Sequence, residues 1–243
     1  MKTLLFSVIT GLLCLETGAI RGGSVTSLVY NPHLVSISIG EEFACAGSLL
    51  TLDWVVTVAS CVQDIPIEKI KVRAGSWKTD GFGQVSDVDQ ALVHPMFNWY
   101  TQDYDLALVK VAKGFTKGPK VRPIQLAKDP VDVSQEATVV GWGENTEGQE
   151  GELRKLVVNL LTNDTCKDQL PYDIISPRMI CSWVDSKSSP CWNDFGDPLK
   201  NKWGKLVGMY TYSRKCKSFP SVYTYLHPYR EWIATAVPDL IIN

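Results

Sequence analysis

The side chains that could perform acid–base or metal chemistry at neutral pH are few in this sequence of 243 residues. It has three histidines, His33, His94 and His227, and its cysteines form no Cys-x-x-Cys pair. Zinc sites take their ligands from closely spaced cysteines and histidines, and here the histidines are not clustered near the cysteines. We therefore expect no metal site, and we expect no cofactor.

The cysteines indicate structural disulfides rather than catalysis or metal binding. Cys14 lies in an apolar N-terminal run, and six cysteines remain after it: Cys45, Cys61, Cys166, Cys181, Cys191 and Cys216. An even number of cysteines in an oxidising compartment is typical of a disulfide framework. We expect three disulfides in the processed chain.

The N-terminal residues have the pattern of a secretory signal peptide. Lys2 supplies a positive charge, residues 4–15 are mostly apolar, and Thr17-Gly18-Ala19 offers small residues for cleavage. We expect a signal peptide over residues 1–19, a mature domain over residues 20–243, and a secreted, extracellular protein. The alternative is a buried N-terminal element.

Composition and charge exclude several classes of partner. The chain has 24 basic and 26 acidic residues, a formal charge of −2, which argues against a nucleic-acid partner and against a polybasic membrane-surface protein. No stretch is long enough to span a bilayer. Asn163 begins an Asn-Asp-Thr acceptor for N-glycosylation, so its segment should face solvent. We expect a glycoprotein that is a monomer.

The elements that must position any site are short strands. Alternating or apolar runs bounded by Gly, Pro, Asn or Asp recur at residues 34–39, 54–58, 70–74, 106–111, 137–140, 156–160 and 206–210. A helical pattern appears only late, over residues 229–237 before Pro238. Many short strands with one late helix predict an all-β sandwich or a pair of barrels.

Several motifs in order resemble the trypsin/chymotrypsin-like serine proteases across the whole mature chain. They are Ile20-Arg21-Gly22-Gly23, residues 47–50 and 54–61, Asp105 to Val111, Gly141-Trp142-Gly143, residues 191–199 and residues 220–224. The resemblance implies two antiparallel six-stranded β-barrels with the active site between them and a C-terminal α-helix. It also implies three disulfides, Cys45–Cys61, Cys166–Cys181 and Cys191–Cys216.

The positions that carry the family's chemistry are altered. The family has Ala-His-Cys where this chain has Ala59-Ser60-Cys61, and Ser60 cannot act as a general base at neutral pH. Phe195 stands at the nucleophile position, where a phenyl ring has no lone pair to attack with. Only Asp105 remains of the triad, and an aspartate does not activate a serine without a base between them. None of the three histidines maps onto the cleft.

The surroundings of the triad are altered too. Asn193 replaces the glycine of the oxyanion loop. At the specificity pocket, Ser189 stands where trypsins have a basal aspartate. Ser213 and Ser221 stand where the family usually has glycine walls, and we expect their side chains to narrow the pocket. We expect Trp192 and Tyr212 on the rim of the cleft. The family's partner for the new α-amino group is kept as Asp194, so cleavage after Ala19 would let Ile20 pair with it.

These residues predict a secreted pseudoprotease, a serine protease homologue that acts by binding proteins and is not an enzyme. Its layout is similar to the inactivated protease paralogues of parasitic mites, and stretches such as residues 72–76 and 94–98 look like arthropod trypsins. That resemblance implies immune evasion through interference with a proteolytic cascade such as complement. The alternatives are an active trypsin-like endopeptidase with an unusual mechanism, and a decaying paralogue without a role.

Overall fold

The computed structural model describes residue 20 and residues 22–143, 152–184, 188–191, 193–216, 218–238 and 240. Strand β1, Ser24–Val25, precedes a first group of six strands. These are β2 Leu34–Ile39, β3 Glu42–Leu49, β4 Trp54–Thr57, β5 Ile70–Ala74, β6 Gln84–Val93 and β7 Ala107–Val111. They close into an antiparallel barrel in the order β2-β3-β4-β7-β6-β5.

The second group forms a second barrel. Its strands are β8 Glu136–Gly141, β9 Arg154–Leu161, β10 Met179–Trp183, β11 Pro198–Asn201, β12 Leu206–Tyr212 and β13 Ser221–Tyr225. They pair in the order β9-β10-β13-β12-β11-β8, and pairing of β8 with β9 closes the ring. The short β1 adds to β9 from outside. The prediction of two antiparallel six-stranded barrels is confirmed.

The apolar pattern of the strands explains why each ring closes around its own core. In β5 the residues Ile70, Val72 and Ala74 are buried while the residues between them are half-buried, which is the alternation of a strand with one face inward. In β4 all four residues are buried because the strand is covered on both faces. The first strand of the first barrel, residues 34–39, lies where the sequence pattern places it.

Two α-helices lie outside the barrels. Helix α2, Arg230–Ala236, follows a 3-10 turn at His227–Tyr229 and falls within the predicted late helix. Helix α1, Asn163–Gln169, was not predicted, and its N-cap Thr162 accepts a hydrogen bond from the Thr165 N–H at 3.1 Å. In the described part of the chain, neither helix is long and apolar enough to cross a membrane.

The three expected disulfides are present, with the pairing that the resemblance implies. Cys45–Cys61 joins β3 to the turn that carries Ser60. Cys166–Cys181 joins α1 to β10, and Cys191–Cys216 closes the segment that carries Phe195. By the chain-entropy account, loops of 15 to 25 residues each contribute about 3 kcal/mol to the free energy of unfolding.

Candidate functional site

Asp105 and Ser60 meet at the edge of the first barrel. Asp105 lies just before β7, and Ser60 lies in a 3-10 turn over Ala59–Cys61 that follows β4. The Ser60 N–H donates to Asp105 Oδ1 at 2.7 Å, and the Ser60 hydroxyl donates to Asp105 Oδ2 at 3.1 Å. Both carboxylate oxygens therefore have a donor from one residue, at the position where the family has its histidine.

The Asp105 carboxyl is fully buried, and this governs its protonation. Burial raises the pKa of Asp105 to about 7, while hydrogen bonds from Ser60, the Ala59 N–H and the Thr211 hydroxyl oppose the rise. The Asp105 carbonyl oxygen accepts from the Thr224 hydroxyl at 2.7 Å, and that hydroxyl lies 3.0 Å from Thr211 Oγ1. The carboxyl is thus held in place by hydroxyl and backbone donors.

Phe195 fills space at the boundary between the barrels. Its half-buried ring packs against the hydrophobic cores of both barrels, and its centroid lies 6.1 Å from that of Tyr210. Its carbonyl oxygen accepts from the Ala46 N–H of β3 at 2.8 Å. A ring that bridges two cores supplies packing and no nucleophile.

The loop around Phe195 depends on two left-handed residues. Asn193 has φ of 68° and Gly196 has φ of 77°. Asparagine tolerates this region better than most residues, which explains how the loop keeps its shape without the family's glycine. At Gly196 a side chain would also collide with the Ala46 carbonyl oxygen, so only glycine fits there.

Two further carboxyl groups lie side by side behind this loop. Asp194 and Asp197 are both fully buried. Burial raises the pKa of Asp194 to about 7, and burial together with the Asp194 charge raises the pKa of Asp197 well above its usual range. The sequence reasoning overlooked Asp197, although its signal is visible: it stands where the family's Gly-Asp-Ser-Gly-Gly-Pro motif has a glycine.

The Ile20 side chain is almost fully buried in the core of the second barrel, with Tyr210 and Leu199 in the same cluster. Arg154 donates from Nη1 to the Gly23 carbonyl oxygen at 2.8 Å and holds the segment that follows. Pairing of a released Ile20 amine with Asp194 stays a prediction.

The former specificity pocket is almost filled. A cavity of about 10 Å³ remains, and both Ser189 and Ser221 line it. Phe219 and Trp183 line it as well, two large side chains that the sequence reasoning missed. Ser213 is not among the lining residues. The remaining space is at the lower limit for one water molecule and far below a drug-sized ligand site of ~300 Å³ or more.

The other expected site residues are scattered. Tyr212 is half-buried against the cluster that includes Leu170 and Val222, and Trp192 lies outside the described residues. Asn163 is half-buried, and its side-chain amide donates to the Ser176 carbonyl oxygen at 3.0 Å, so glycosylation would have to break this bond.

The three histidines lie in structural settings. His33 is buried with Nδ1 3.1 Å from Ser48 Oγ, and burial lowers its pKa well below the usual range. His94 stacks on Tyr104, and His227 stacks on Tyr225. Among the described residues, no histidine is hydrogen-bonded to Asp105 or Ser60, and no group of three or more potential metal ligands was found.

Two closed barrels, with Asp105 and Ser60 hydrogen-bonded to each other at the edge of the first, define a trypsin-like fold. The family model described as Trypsin matches residues 20–233, and the chain belongs to the trypsin-like serine protease family.

Comparison with curated proteins agrees. Hypodermin-B of Hypoderma lineatum is 32% identical over 230 residues, which cover 92% of this chain and 89% of that protein. The vitellin-degrading protease of Bombyx mori is 30% identical, with 91% of this chain and 86% of that protein covered. Trypsin of Sus scrofa is 29% identical, with 90% and 95% covered.

Proposed function

We propose that this protein is a secreted, non-catalytic member of the trypsin family that acts by binding other proteins. The observation that carries the proposal is the hydrogen-bonding of Asp105. Its two carboxylate oxygens accept from Ser60, so the carboxyl orients a hydroxyl where hydrolysis would need an imidazole. With Phe195 at the nucleophile position, two independent parts of the mechanism are absent from the site.

The alternative is an active peptidase with an unusual mechanism, and the names of the relatives favour it. Hypodermin-B and the vitellin-degrading protease match nearly the whole chain, and the second is named as a protease. Loss of the nucleophile or the base in a triad enzyme lowers kcat about 10⁶-fold, and the activity that remains comes from the oxyanion hole and from substrate binding. That remaining activity also requires an open specificity pocket, and here the cavity at this position is about 10 Å³.

Activity is tested with the mature chain on a panel of fluorogenic peptides and with a serine-directed phosphonofluoridate. We expect this protein to show no hydrolysis and no labelling, whereas pig trypsin, the positive control, should show both. We expect Phe195→Ser to be inactive too, because Ser60 still supplies no base. Stoichiometric labelling of a serine in the cleft of the wild type would establish the active alternative.

Binding of inhibitors tests the filled pocket separately. A broad basic trypsin inhibitor inserts a long side chain into the specificity pocket, and the space beside Ser189 and Phe219 cannot take one. We expect its affinity for this protein to be at least about a thousandfold weaker than for pig trypsin, a loss of ~4 kcal/mol. Tight binding would mean that the pocket opens in solution.

Three exposed aromatic residues supply a candidate binding surface. Trp99, Tyr100 and Tyr172, which we call the three-aromatic surface, are 66%, 91% and 86% exposed. Their two loops are tied together, because Asp103 accepts from Ser176 Oγ at 2.9 Å and from Arg178 Nε at 3.0 Å. Exposed aromatic side chains are common anchors of protein interfaces.

The proposed partners are components of a proteolytic cascade such as complement, and the three disulfides suit an extracellular setting. The test is complement-mediated lysis of red cells with added wild type, Trp99→Ala or Trp203→Ala. Trp203 is also 66% exposed but lies in the turn between β11 and β12, so it is a matched control. We expect inhibition by wild type and Trp203→Ala and a loss with Trp99→Ala. Unchanged lysis with wild type would refute complement as the target.

A further inference from the structure

Phe219 borders two cavities of very different size. The first is the filled specificity pocket of about 10 Å³, and the second measures about 350 Å³. The larger cavity lies between two loops, and the residues that border it are Leu170, Pro171, Tyr172, Arg214, Lys215 and Phe219. Its volume falls within the range of ligand sites in proteins, ~300–1,000 Å³. The molecule therefore has room for a ligand beside the filled pocket, although not in it.

The apolar wall of the larger cavity belongs to a buried core cluster. Leu170 is only 1% exposed and lies within this cluster, and the half-buried Phe219 packs against it. The Leu170 N–H donates to the Cys166 carbonyl oxygen at 2.9 Å, and the Asp173 N–H donates to the Leu170 carbonyl oxygen at 3.0 Å. These bonds form a tight turn that presents Tyr172 at its tip. The wall is therefore built before any ligand binds.

Arg214 ties the two loops that border the cavity to each other. Its Nε donates to both carboxylate oxygens of Asp173 at 2.8 Å, and its Nη2 donates to the Tyr172 carbonyl oxygen at 3.1 Å. The disulfide Cys191–Cys216 fixes the segment that follows Arg214. The cavity is thus held open by an ion pair, a backbone contact and a covalent link.

The charge at the cavity is positive. Residues 214–217 read Arg-Lys-Cys-Lys, with three cations and no acid. The Asp173 carboxylate is already paired with Arg214, and its side chain is 11% exposed. Lys215 is exposed and forms no salt bridge within the described part of the chain. Since none of the described residues that border the cavity is acidic, this region attracts carboxylates and repels basic side chains.

We propose that this cavity binds an acidic segment of a partner protein that carries one aromatic side chain. The aromatic ring enters the cavity beside Tyr172 and Phe219, and a flanking carboxylate pairs with the Lys215 ammonium. Burial of the ring supplies most of the affinity, and the charge pair selects against basic segments. Tyr172 also belongs to the three-aromatic surface, so this proposal rests on the proposed binding function and names the chemistry of its partner.

The test measures binding of three synthetic peptides to the mature chain by titration calorimetry. The first is Glu-Glu-Phe-Glu-Glu with acetyl and amide ends, the second has Ala in place of Phe, and the third has Lys in place of every Glu. We expect the first to bind with a Kd of about 0.1 mM or tighter, and the other two at least about tenfold more weakly. Added salt should weaken binding of the first peptide, because it screens the pairing of an exposed ammonium.

Two variants of exposed residues test the assigned contacts, each with a matched control. We expect Lys215→Glu to lower the affinity for the first peptide at least about tenfold, and Tyr172→Ala to lower it at least about threefold. Lys202→Glu makes the same charge change in the turn between β11 and β12, and Tyr30→Ala removes a ring that is 78% exposed near the N-terminus. Both controls should bind the first peptide as the wild type does.

A photo-cross-linking peptide, with benzoylphenylalanine in place of Phe, locates the site directly. We expect its cross-links within residues 170–172 or 214–219. Cross-links confined to other residues, equal affinity for the acidic and basic peptides, or unchanged affinity in Lys215→Glu would each overturn the proposal. None of these measurements uses complement or peptide hydrolysis, so their failure is distinguishable from failure of the proposed function.

Discussion

The molecule contains two regions of buried aspartate, and they are completed in different ways. At the edge of the first barrel, Asp105 has a backbone and a hydroxyl donor for its two oxygens, both from Ser60. Inside the second barrel, Asp194 and Asp197 lie together, and three of their four carboxyl oxygens have no donor among the described residues.

The two regions differ in whether the buried carboxyl has hydrogen-bond donors. Ser60, at the position of the family's histidine, supplies a hydroxyl donor, so the Asp105 carboxyl is hydrogen-bonded within the fold. Replacing glycine by aspartate at position 197 added a charge without a donor, so that region depends on protons or on a cation. The Asp105 carboxyl is therefore stabilised by neutral hydrogen-bond donors, whereas most of the carboxyl oxygens of Asp194 and Asp197 have no donor among the described residues.

The pH dependence of stability should show the largest effect. The pKa of Asp105 is raised to about 7 in the folded protein, so the folded state binds a proton that the unfolded state has lost. Stability therefore falls as the pH rises from about 4 to 7, by about 1.4 kcal/mol per pH unit for this carboxyl, or about 4 kcal/mol in all. Urea unfolding over this range measures it. Asp105→Asn should reduce the slope by one proton, and a slope that is unchanged by it would contradict the assignment.

Removing the Asp197 carboxyl from inside the second barrel should make the fold more stable. We expect Asp197→Asn to raise the free energy of unfolding by about 2–4 kcal/mol at pH 7, since an uncompensated buried carboxyl disappears. The gain should shrink toward pH 4, where the carboxyl is protonated in folded and unfolded chains alike. Thermal unfolding at both pH values tests this, and an equal gain at the two values would exclude an electrostatic cause.

The first region should respond in the opposite direction. We expect Ser60→Ala to lower the free energy of unfolding by about 1–3 kcal/mol, because Asp105 Oδ2 loses its hydroxyl donor while Oδ1 keeps the backbone N–H. The loss should be larger at pH 8 than at pH 5, since only the ionised carboxyl needs the donor fully. Ser60→Thr keeps the hydroxyl and is the control, and a loss from Ser60→Thr as large as that from Ser60→Ala would point to packing instead.

The smallest effect is expected in the filled pocket. The buried Ser189 hydroxyl has no partner among the described residues, in contrast to Ser60. Ser189→Ala should therefore change the free energy of unfolding by no more than about 0.5 kcal/mol, or raise it slightly. Chemical unfolding of Ser189→Ala beside Ser60→Ala gives the comparison directly. A loss of the same size in both variants would mean that Ser189 Oγ is hydrogen-bonded in solution.

Much of the fold could be predicted from local sequence. The alternation of residues 34–39 and 70–74 indicates strands with one face inward, and both are strands with these bounds. Helix α1 could not be predicted in this way, because its seven residues contain one buried side chain, Cys166, and no apolar face. Its position is set by the Thr162 cap and the disulfide to β10.

The site was predictable only where it depends on residue type. Ser60 and Phe195 predict the loss of the family's chemistry from the sequence alone, since neither side chain can perform the role of the residue that it replaces. That Phe219 and Trp183 line the pocket could not be predicted, because the two residues are distant in sequence and border one cavity only in the folded chain. Asp197 was overlooked for a related reason. Its effect on the fold comes from the burial of its carboxyl, which is not visible from residue type.

Phe195 constrains the evolution of this chain as well as its packing. Its ring packs against both barrel cores, so a change to serine would cost about 2–4 kcal/mol by leaving a void at their boundary. On the proposed function, we expect no activity to return with that change, because position 60 still lacks an imidazole. A mutational path toward catalysis would therefore lower the stability of the fold before it restored hydrolysis. We expect mutation to change the binding surface of this chain more readily than to restore hydrolysis.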